Sequence, residues 1–170
     1  MTPQVIFFTS VVMSFILWST TAARYIWPAL QARSRVDALY PILLLHASRF
    51  VGLAFLVPGV VSPDLPLAFA RPAAYGDFLT AIIALLAIAA LKKAWGNVLV
   101  WIFNIVGFAD LVFAFYRGNQ TGAGADPGLQ GAMYFIPTVV VPLLIVTHVL
   151  VFRILLQREA GITQRMQRAS

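Results

Sequence analysis

The sequence contains no cysteine, and this absence removes several chemistries at once. Disulfide bridges, thiolate metal sites, iron–sulfur clusters and cysteine nucleophiles are all excluded. No Walker loop, dinucleotide-binding fingerprint or zinc-binding spacing occurs either. The chain therefore carries no local motif that assigns a cofactor, and its chemistry has to be inferred from individual polar residues.

Charged residues are also scarce. They make up 11% of the 170 residues, against roughly 25% in soluble domains, while 61% are hydrophobic. At a mean hydropathy of +0.87 the chain lacks the polar surface that a soluble domain of this size needs. The composition predicts an all-α integral membrane protein. A net charge of +6 would suggest nucleic acid as the partner of a soluble protein. Here the charges lie between apolar runs, so the expected partner is the lipid bilayer and not nucleic acid.

Five apolar runs are long enough to cross a bilayer as helices. The predicted spans cover residues 5–25, 40–59, 74–91, 98–116 and 129–155, and a basic tail follows over residues 157–170. The spans form one transmembrane domain, residues 1–170, in our interpretation. The first run has no basic region before it, so we expect a retained span and not a cleaved signal.

Prolines set several of these predicted boundaries. Pro28 is expected to end the first helix, and Pro41 to open the second, since proline fits the first helical turn. The proline-containing stretch 60–73 is expected to be a loop. Pro137 and Pro142 are expected to bend or loosen the fifth helix and to free backbone carbonyls at membrane depth.

Basic residues are distributed unequally between the two sides of the predicted bundle. One side holds Arg24, Arg33, Arg35, Lys92, Lys93, Arg153, Arg158, Arg165 and Arg168, and the other holds Arg71 and Arg117. Since cytoplasmic loops are enriched in basic residues, the bias predicts a cytoplasmic carboxyl terminus and an amino terminus outside. The alanine- and arginine-rich composition is compatible with a bacterial inner (plasma) membrane.

Polar side chains inside the spans need partners, because an unpaired ionisable group is costly at that depth. They are His46 and Arg49 in the second span, Asp77 in the third, Asn104 and Asp110 in the fourth, and His148 in the fifth. Helix rise places both histidines roughly 7 Å below the cytoplasmic interface, and Arg49 level with Asn104. Asp110 and Asp77 lie toward the outside, at levels predicted to differ by more than one helical turn.

The first interpretation of these residues is structural. Arg49 would bond to Asn104 and Asp110, while each histidine stays neutral and bonds to a hydroxyl or a free carbonyl. Intramembrane hydrogen bonds contribute only about 0.6 kcal/mol on average, so stability alone is a weak reason to keep an arginine there. A protein of this kind would be a structural or accessory subunit without a site of its own.

The second interpretation, which we favour, is a binding or transport site for a small polar or amphipathic molecule. The ligand-binding residues would be His46, Arg49, Asn104, Asp110 and His148, with Arg49 holding an anionic group. Asp77 and Asp110 would form a proton path. A chain of five spans would have to assemble as a homo-oligomer to form a transporter. This interpretation needs no cofactor.

The third interpretation is a membrane redox protein that binds haem b. His46 and His148 lie at equal depth on two helices, which is what axial ligation by two imidazoles requires. Binding of another metal is disfavoured, because the aspartates lie too far outward to complete a ligand shell. No catalytic residues are predicted, since the spacing of Ser48 from His46 puts the two on different helix faces.

Overall fold

The computed structural model describes residues 1–123 and 126–169, and beyond Gln157 only the backbone. Regular structure in these residues is entirely helical. Five helices are long and apolar enough to cross a membrane: α1 Pro3–Gln31, α2 Arg35–Leu56, α3 Leu67–Ala90, α4 Gly96–Thr121 and α5 Ile136–Gln157. The prediction of an all-α bundle with five membrane-length helices is confirmed.

Helix α3 packs against α2 and α4, while α5 contacts α1, α2 and α4. The buried face of α3 consists largely of small side chains, which allow helix backbones to approach closely. These buried alanines are Ala70, Ala73, Ala74, Ala81, Ala84, Ala87 and Ala90. Larger apolar side chains fill the two ends of the bundle, and the polar residues lie between these two apolar clusters.

Helix α1 does not end at Pro28 as predicted, but continues to Gln31. It passes the proline through a π-helical turn, Ala22–Ile26, in which the Trp27 N–H donates to the Ala22 carbonyl. Proline has no N–H and its ring crowds the carbonyl four residues earlier, so a wider turn relieves the contact. The proline therefore loosens this helix without ending it.

Helix α5 also begins with a π-helical turn before a proline. The π-helical turn Ile136–Val140 precedes Pro142, and the Val141 N–H donates to the Ile136 carbonyl. The carbonyl of Val139 accepts a hydrogen bond of 3.1 Å from Trp18 Nε1 of α1. The widened turn agrees with the prediction that the prolines loosen this helix. Pro142 leaves the Thr138 carbonyl without its regular donor, so the Trp18–Val139 bond does not test the prediction of freed carbonyls.

Helices α2 and α3 both begin earlier than predicted. Ser34 caps α2, since its hydroxyl accepts from the Asp37 N–H at 3.2 Å, and Pro41 consequently lies inside the helix. The second half of α2, Ser48–Leu56, is wound as a tighter 3₁₀-helix. Helix α3 takes up part of the expected loop 60–73 and includes Pro72.

Other boundaries shift by a few residues. Helix α4 is longer than the predicted 98–116. A short helix, Pro127–Gln130, and a 3₁₀ turn, Gly131–Tyr134, stand apart from α5, which was predicted to begin at residue 129. The helical backbone that includes α5 continues to Ala169. Of the predicted basic tail, the side chains of Arg158, Arg165 and Arg168 and the whole of Ser170 lie outside the described residues.

Candidate functional site

Arg49 lies at the centre of a buried group of polar side chains. Its Nε donates to Asp77 Oδ1 and its Nη2 to Asp110 Oδ2, each at 2.6 Å. Its Nη1 donates to the Gly107 carbonyl at 3.2 Å. One guanidinium therefore connects α2 with both α3 and α4. We call the connected side chains the polar network: His46, Arg49, Asp77, Asn104, Asp110, Thr147 and His148.

The partners of Arg49 differ from the predicted ones. The contact with Asp110 is present, but the contact with Asn104 is replaced by one with Asp77. The two aspartates, predicted at different levels, reach the same guanidinium. The reason is the early start of α3, since Asp77 follows Leu67 by ten residues, or about 15 Å along the helix. Because the predicted span began at residue 74, Asp77 was expected near the end of α3. With the helix starting at Leu67, Asp77 lies deeper in the bundle.

Asn104 instead orients His148. Its amide nitrogen donates to the His148 carbonyl at 3.2 Å, and its amide oxygen lies 2.7 Å from His148 Nδ1. Because that oxygen can only accept, Nδ1 carries the proton and Nε2 presents a lone pair. This lone pair faces Arg49 Nη1 at 3.5 Å. His148 is thus held as a neutral imidazole beside a guanidinium.

His46 bonds to Thr147, the residue before His148 in the chain. The Thr147 hydroxyl donates its single hydrogen to the backbone carbonyls of Leu143 and Leu144. Its oxygen therefore accepts from His46 Nε2, at 2.9 Å. His46 Nδ1 is then a buried lone pair without a partner among the described residues. The structural interpretation expected a hydroxyl or a free backbone carbonyl as the partner of each histidine. His46 has a hydroxyl partner, whereas His148 has the side-chain amide oxygen of Asn104.

Three glycines leave room for the polar network. A Cβ added at Gly76 would lie 1.7 Å from Asp110 Oδ1, and one at Gly52 would lie 2.3 Å from Asp77 Oδ2. At Gly107 the added atom would lie 2.7 Å from His148 Cε1. The second oxygen of each carboxylate thus lies against a glycine of the neighbouring helix.

Gly52, Gly76 and Thr147 belong to the site but were not predicted from the sequence. One signal was present for Gly76, since small residues mark close contacts between membrane helices and Gly76 directly precedes an intramembrane aspartate. Thr147 directly precedes His148 in the same way. Neither neighbour can be assigned a partner before the rotation of its helix is known.

A cavity of about 370 Å³ ends on the two carboxylates. Asp77 and Asp110 each expose 13% of their side-chain surface, whereas Arg49 behind them exposes 1%. All five helices contribute to the walls, and aromatic rings predominate among the large side chains. The phenylalanines of the wall are Phe7, Phe8, Phe55, Phe69 and Phe115. Of the six predicted site residues, only the two aspartates reach this cavity.

The arrangement of the two histidines does not fit axial ligation of haem. The ring centroids of His46 and His148 are 4.2 Å apart, and Phe103 contacts both rings at 5.1 and 5.2 Å. An iron bound at about 2 Å to each imidazole would place a macrocycle between rings that here touch one another. Among the described residues, no group of three or more histidines, aspartates or glutamates is placed to hold a metal ion.

Comparison with known proteins gives one family match. A family model described as "Domain of unknown function (DUF8737)" matches residues 6–156. No curated protein and no solved structure matches the chain. The matched range contains the whole polar network and every residue of the cavity wall.

Proposed function

We propose that this chain, which belongs to the DUF8737 family, binds a small amphipathic molecule within the membrane. The observation that carries the proposal is the cavity whose apolar walls end on Asp77 and Asp110. Small-molecule sites are concave and mostly apolar, with a few convergent polar groups, and have volumes from about 300 to 1,000 Å³. The cavity has this form.

The residues of the polar network divide into two roles in this proposal. Asp77 and Asp110 contact the polar group of the ligand. Arg49 positions both carboxylates, since it donates a hydrogen bond to one oxygen of each. Asn104 orients His148, and His148 Nε2 faces Arg49 Nη1 at 3.5 Å. His46 supports His148 and does not contact the ligand.

We further propose that the amino terminus lies outside and the carboxyl terminus in the cytoplasm, on the basis of the basic residues. The cavity lies at the end of the bundle where α1 and α3 begin and α4 ends, so in this orientation it opens away from the cytoplasm. A bacterial inner membrane remains our proposed location.

Entry of a ligand requires a movable wall, and α5 supplies one. Ile136, Pro137 and Val141 line the cavity and belong to the π-helical turn or border it. A turn that has already lost regular hydrogen bonds bends at lower cost than a regular helix. We propose that α5 moves when the ligand enters, and that passage across the membrane would require a homo-oligomer.

Filling the cavity tests the proposal. Ala114→Phe places a ring inside the cavity, whereas Val112→Phe, on the same helix, places one on an exposed face. The measurement is the thermal unfolding midpoint of the purified protein with a panel of amphipathic amines, alcohols and carboxylates. We expect at least one class to stabilise the wild type and the Val112→Phe control, by about 2.7 kcal/mol at 100 times Kd. Ala114→Phe should lose the effect.

Two results would contradict the proposal. The first is a panel that stabilises none of the variants, including the wild type. The second is stabilisation that Ala114→Phe retains in full, which would place binding elsewhere. Either result would favour a structural or accessory subunit.

A further inference from the structure

The charges around the cavity do not balance. Arg49 carries one positive charge, and Asp77 and Asp110 together carry two negative charges when both are ionised. The hydrogen bonds of the two histidines hold them neutral. The cavity lining contains no further charged side chain in the described part of the chain. With both aspartates ionised the site has an excess of one negative charge, which is costly inside a membrane unless a proton or a bound cation neutralises it.

The positive charge of the site is not accessible to a ligand. Arg49 exposes 1% of its side chain, and its three nitrogens donate to Asp77, Asp110 and the Gly107 carbonyl. Both aspartates expose part of their surface at the cavity. A ligand therefore meets carboxylate oxygens and not the guanidinium. This corrects the expectation that Arg49 holds an anionic group.

The walls suit a cation as well as an apolar body. Two of the aromatic pairs stand edge to face, Phe7 with Phe8 at 5.5 Å and Phe55 with Phe69 at 5.6 Å between ring centroids. In an edge-to-face pair the ring that presents its edge keeps both of its faces free of its partner, and the face of an aromatic ring attracts a cation within about 6 Å. Aromatic faces and carboxylates therefore favour the same sign of charge.

We infer that the ligand is an amphipathic monovalent cation, with an ammonium-type group beside Asp77 and Asp110 and an apolar body against the phenylalanines. This inference rests on the proposed function and specifies the ligand of the same cavity. The cation supplies the charge that the two aspartates and one arginine leave uncompensated, and no proton transfer or covalent step is needed.

Three probes of similar size and different charge test the inference on the full chain by titration calorimetry in detergent. They are phenethylammonium, phenethyl alcohol and phenylacetate. We expect the ammonium probe to bind about tenfold tighter than the alcohol or better, and phenylacetate to bind most weakly. Asp77→Asn and Asp110→Asn should each remove most of this preference, because the ammonium probe loses more affinity than the alcohol. Asp64→Asn, at an exposed loop position, is the matched control.

The outcomes separate the inference from the proposed function. Equal affinity for ammonium and alcohol, or tightest binding of phenylacetate, would overturn the cation inference while binding in the cavity stands. Binding of every probe that survives Ala114→Phe would overturn the proposed function itself. If an asparagine variant does not fold, the ranking of the three probes on the wild type still tests the cation inference. A second test is Phe115→Leu, which should lower the affinity for the ammonium probe more than that for the alcohol.

Discussion

At the scale of single residues, Arg49 has the largest structural consequence. Its guanidinium is enclosed, and two carboxylates from different helices share it. Replacing a buried ion pair by apolar groups can be nearly neutral, whereas removing one partner leaves an unpaired buried charge at a cost of about 3–5 kcal/mol. The stability of the bundle should therefore depend on the pairing and not on the number of charges.

We expect Arg49→Met to lower the free energy of unfolding by about 3–5 kcal/mol, because both aspartates lose their partner. The triple variant Arg49→Met, Asp77→Asn, Asp110→Asn should recover most of this loss, since no charge is left unpaired. The measurement is denaturant unfolding in detergent micelles.

Arg71→Met is the matched control, because Arg71 is an exposed arginine on α3. Its change should be within about 0.5 kcal/mol. An Arg49→Met variant as stable as this control would show that the ion pairs contribute nothing to the fold.

At the scale of helices, the bundle accommodates proline by bonding the freed carbonyls from neighbouring elements. Pro72 lies inside α3 and provides no N–H for the carbonyl of Ala68. Arg117 of α4 donates to that carbonyl through Nε at 3.1 Å. A proline inside a membrane helix is thus tolerated where another helix supplies the missing donor.

This arrangement predicts coupling between two positions on different helices. Arg117→Met should destabilise the protein by about 1.5–3 kcal/mol, the usual range for a charged hydrogen bond. In a Pro72→Ala background the new N–H can bond to the Ala68 carbonyl, so the same change should cost about 1 kcal/mol less. A double-mutant cycle of unfolding free energies measures the difference.

Gln120→Ala serves as the control for this cycle, because it leaves the bond from Arg117 to Ala68 in place. It removes the second contact of Arg117, from Nη1 to Gln120 Oε1, and the bond from Gln120 Nε2 to the Tyr116 hydroxyl. It should cost the same in both backgrounds. Equal costs of Arg117→Met in the two backgrounds would show that Arg117 does not replace the missing proline donor.

At the scale of the whole molecule, the open question is which end of the bundle faces the cytoplasm. The guanidinium of Arg153 lies 4.0 Å from the ring centroid of Trp27, so a basic and an aromatic residue meet at the end opposite the cavity. Both types are enriched at a membrane interface. The distribution of basic residues predicts that this end is cytoplasmic.

The absence of cysteine makes the orientation directly measurable, since a single introduced cysteine is the only labelling site. In intact cells a membrane-impermeant maleimide should label Asp64→Cys, near the cavity. Ala32→Cys, at the other end, should react only after permeabilisation. The unmodified chain gives the background. Labelling of Ala32→Cys alone in intact cells would reverse the orientation and open the cavity to the cytoplasm.

Much of the fold was predictable because hydropathy is a local property of the chain. Five apolar runs give five helices, and the fifth helix is loosened before Pro142, as the proline content of this run predicted. The boundaries predicted at Pro28, Pro41 and Pro72 were wrong, because the effect of a proline is not set locally. A helix continues past a proline where a widened turn relieves the ring, or where a distant helix donates a hydrogen bond to the freed carbonyl.

The site was predictable in its members more than in its connections. Intramembrane polar residues are few, so His46, Arg49, Asp77, Asn104, Asp110 and His148 could all be identified by position. Their pairing depends on where each helix begins and how it is rotated. The start of α3 was predicted seven residues too late. As a result Asn104 was predicted as a partner of Arg49, whereas the structure shows Asp77.

The sequence alone predicts a helical chain with five membrane-length segments and a few polar residues inside them. These features follow from the cost of leaving backbone or side-chain polar groups unpaired in hydrocarbon. Which groups face one another, and which face the cavity, depends on how the helices pack. Arg49 carries the same charge in either description. Its enclosure by two aspartates depends on the distances between three helices, and this enclosure leaves the carboxylates as the charged groups that a ligand can reach.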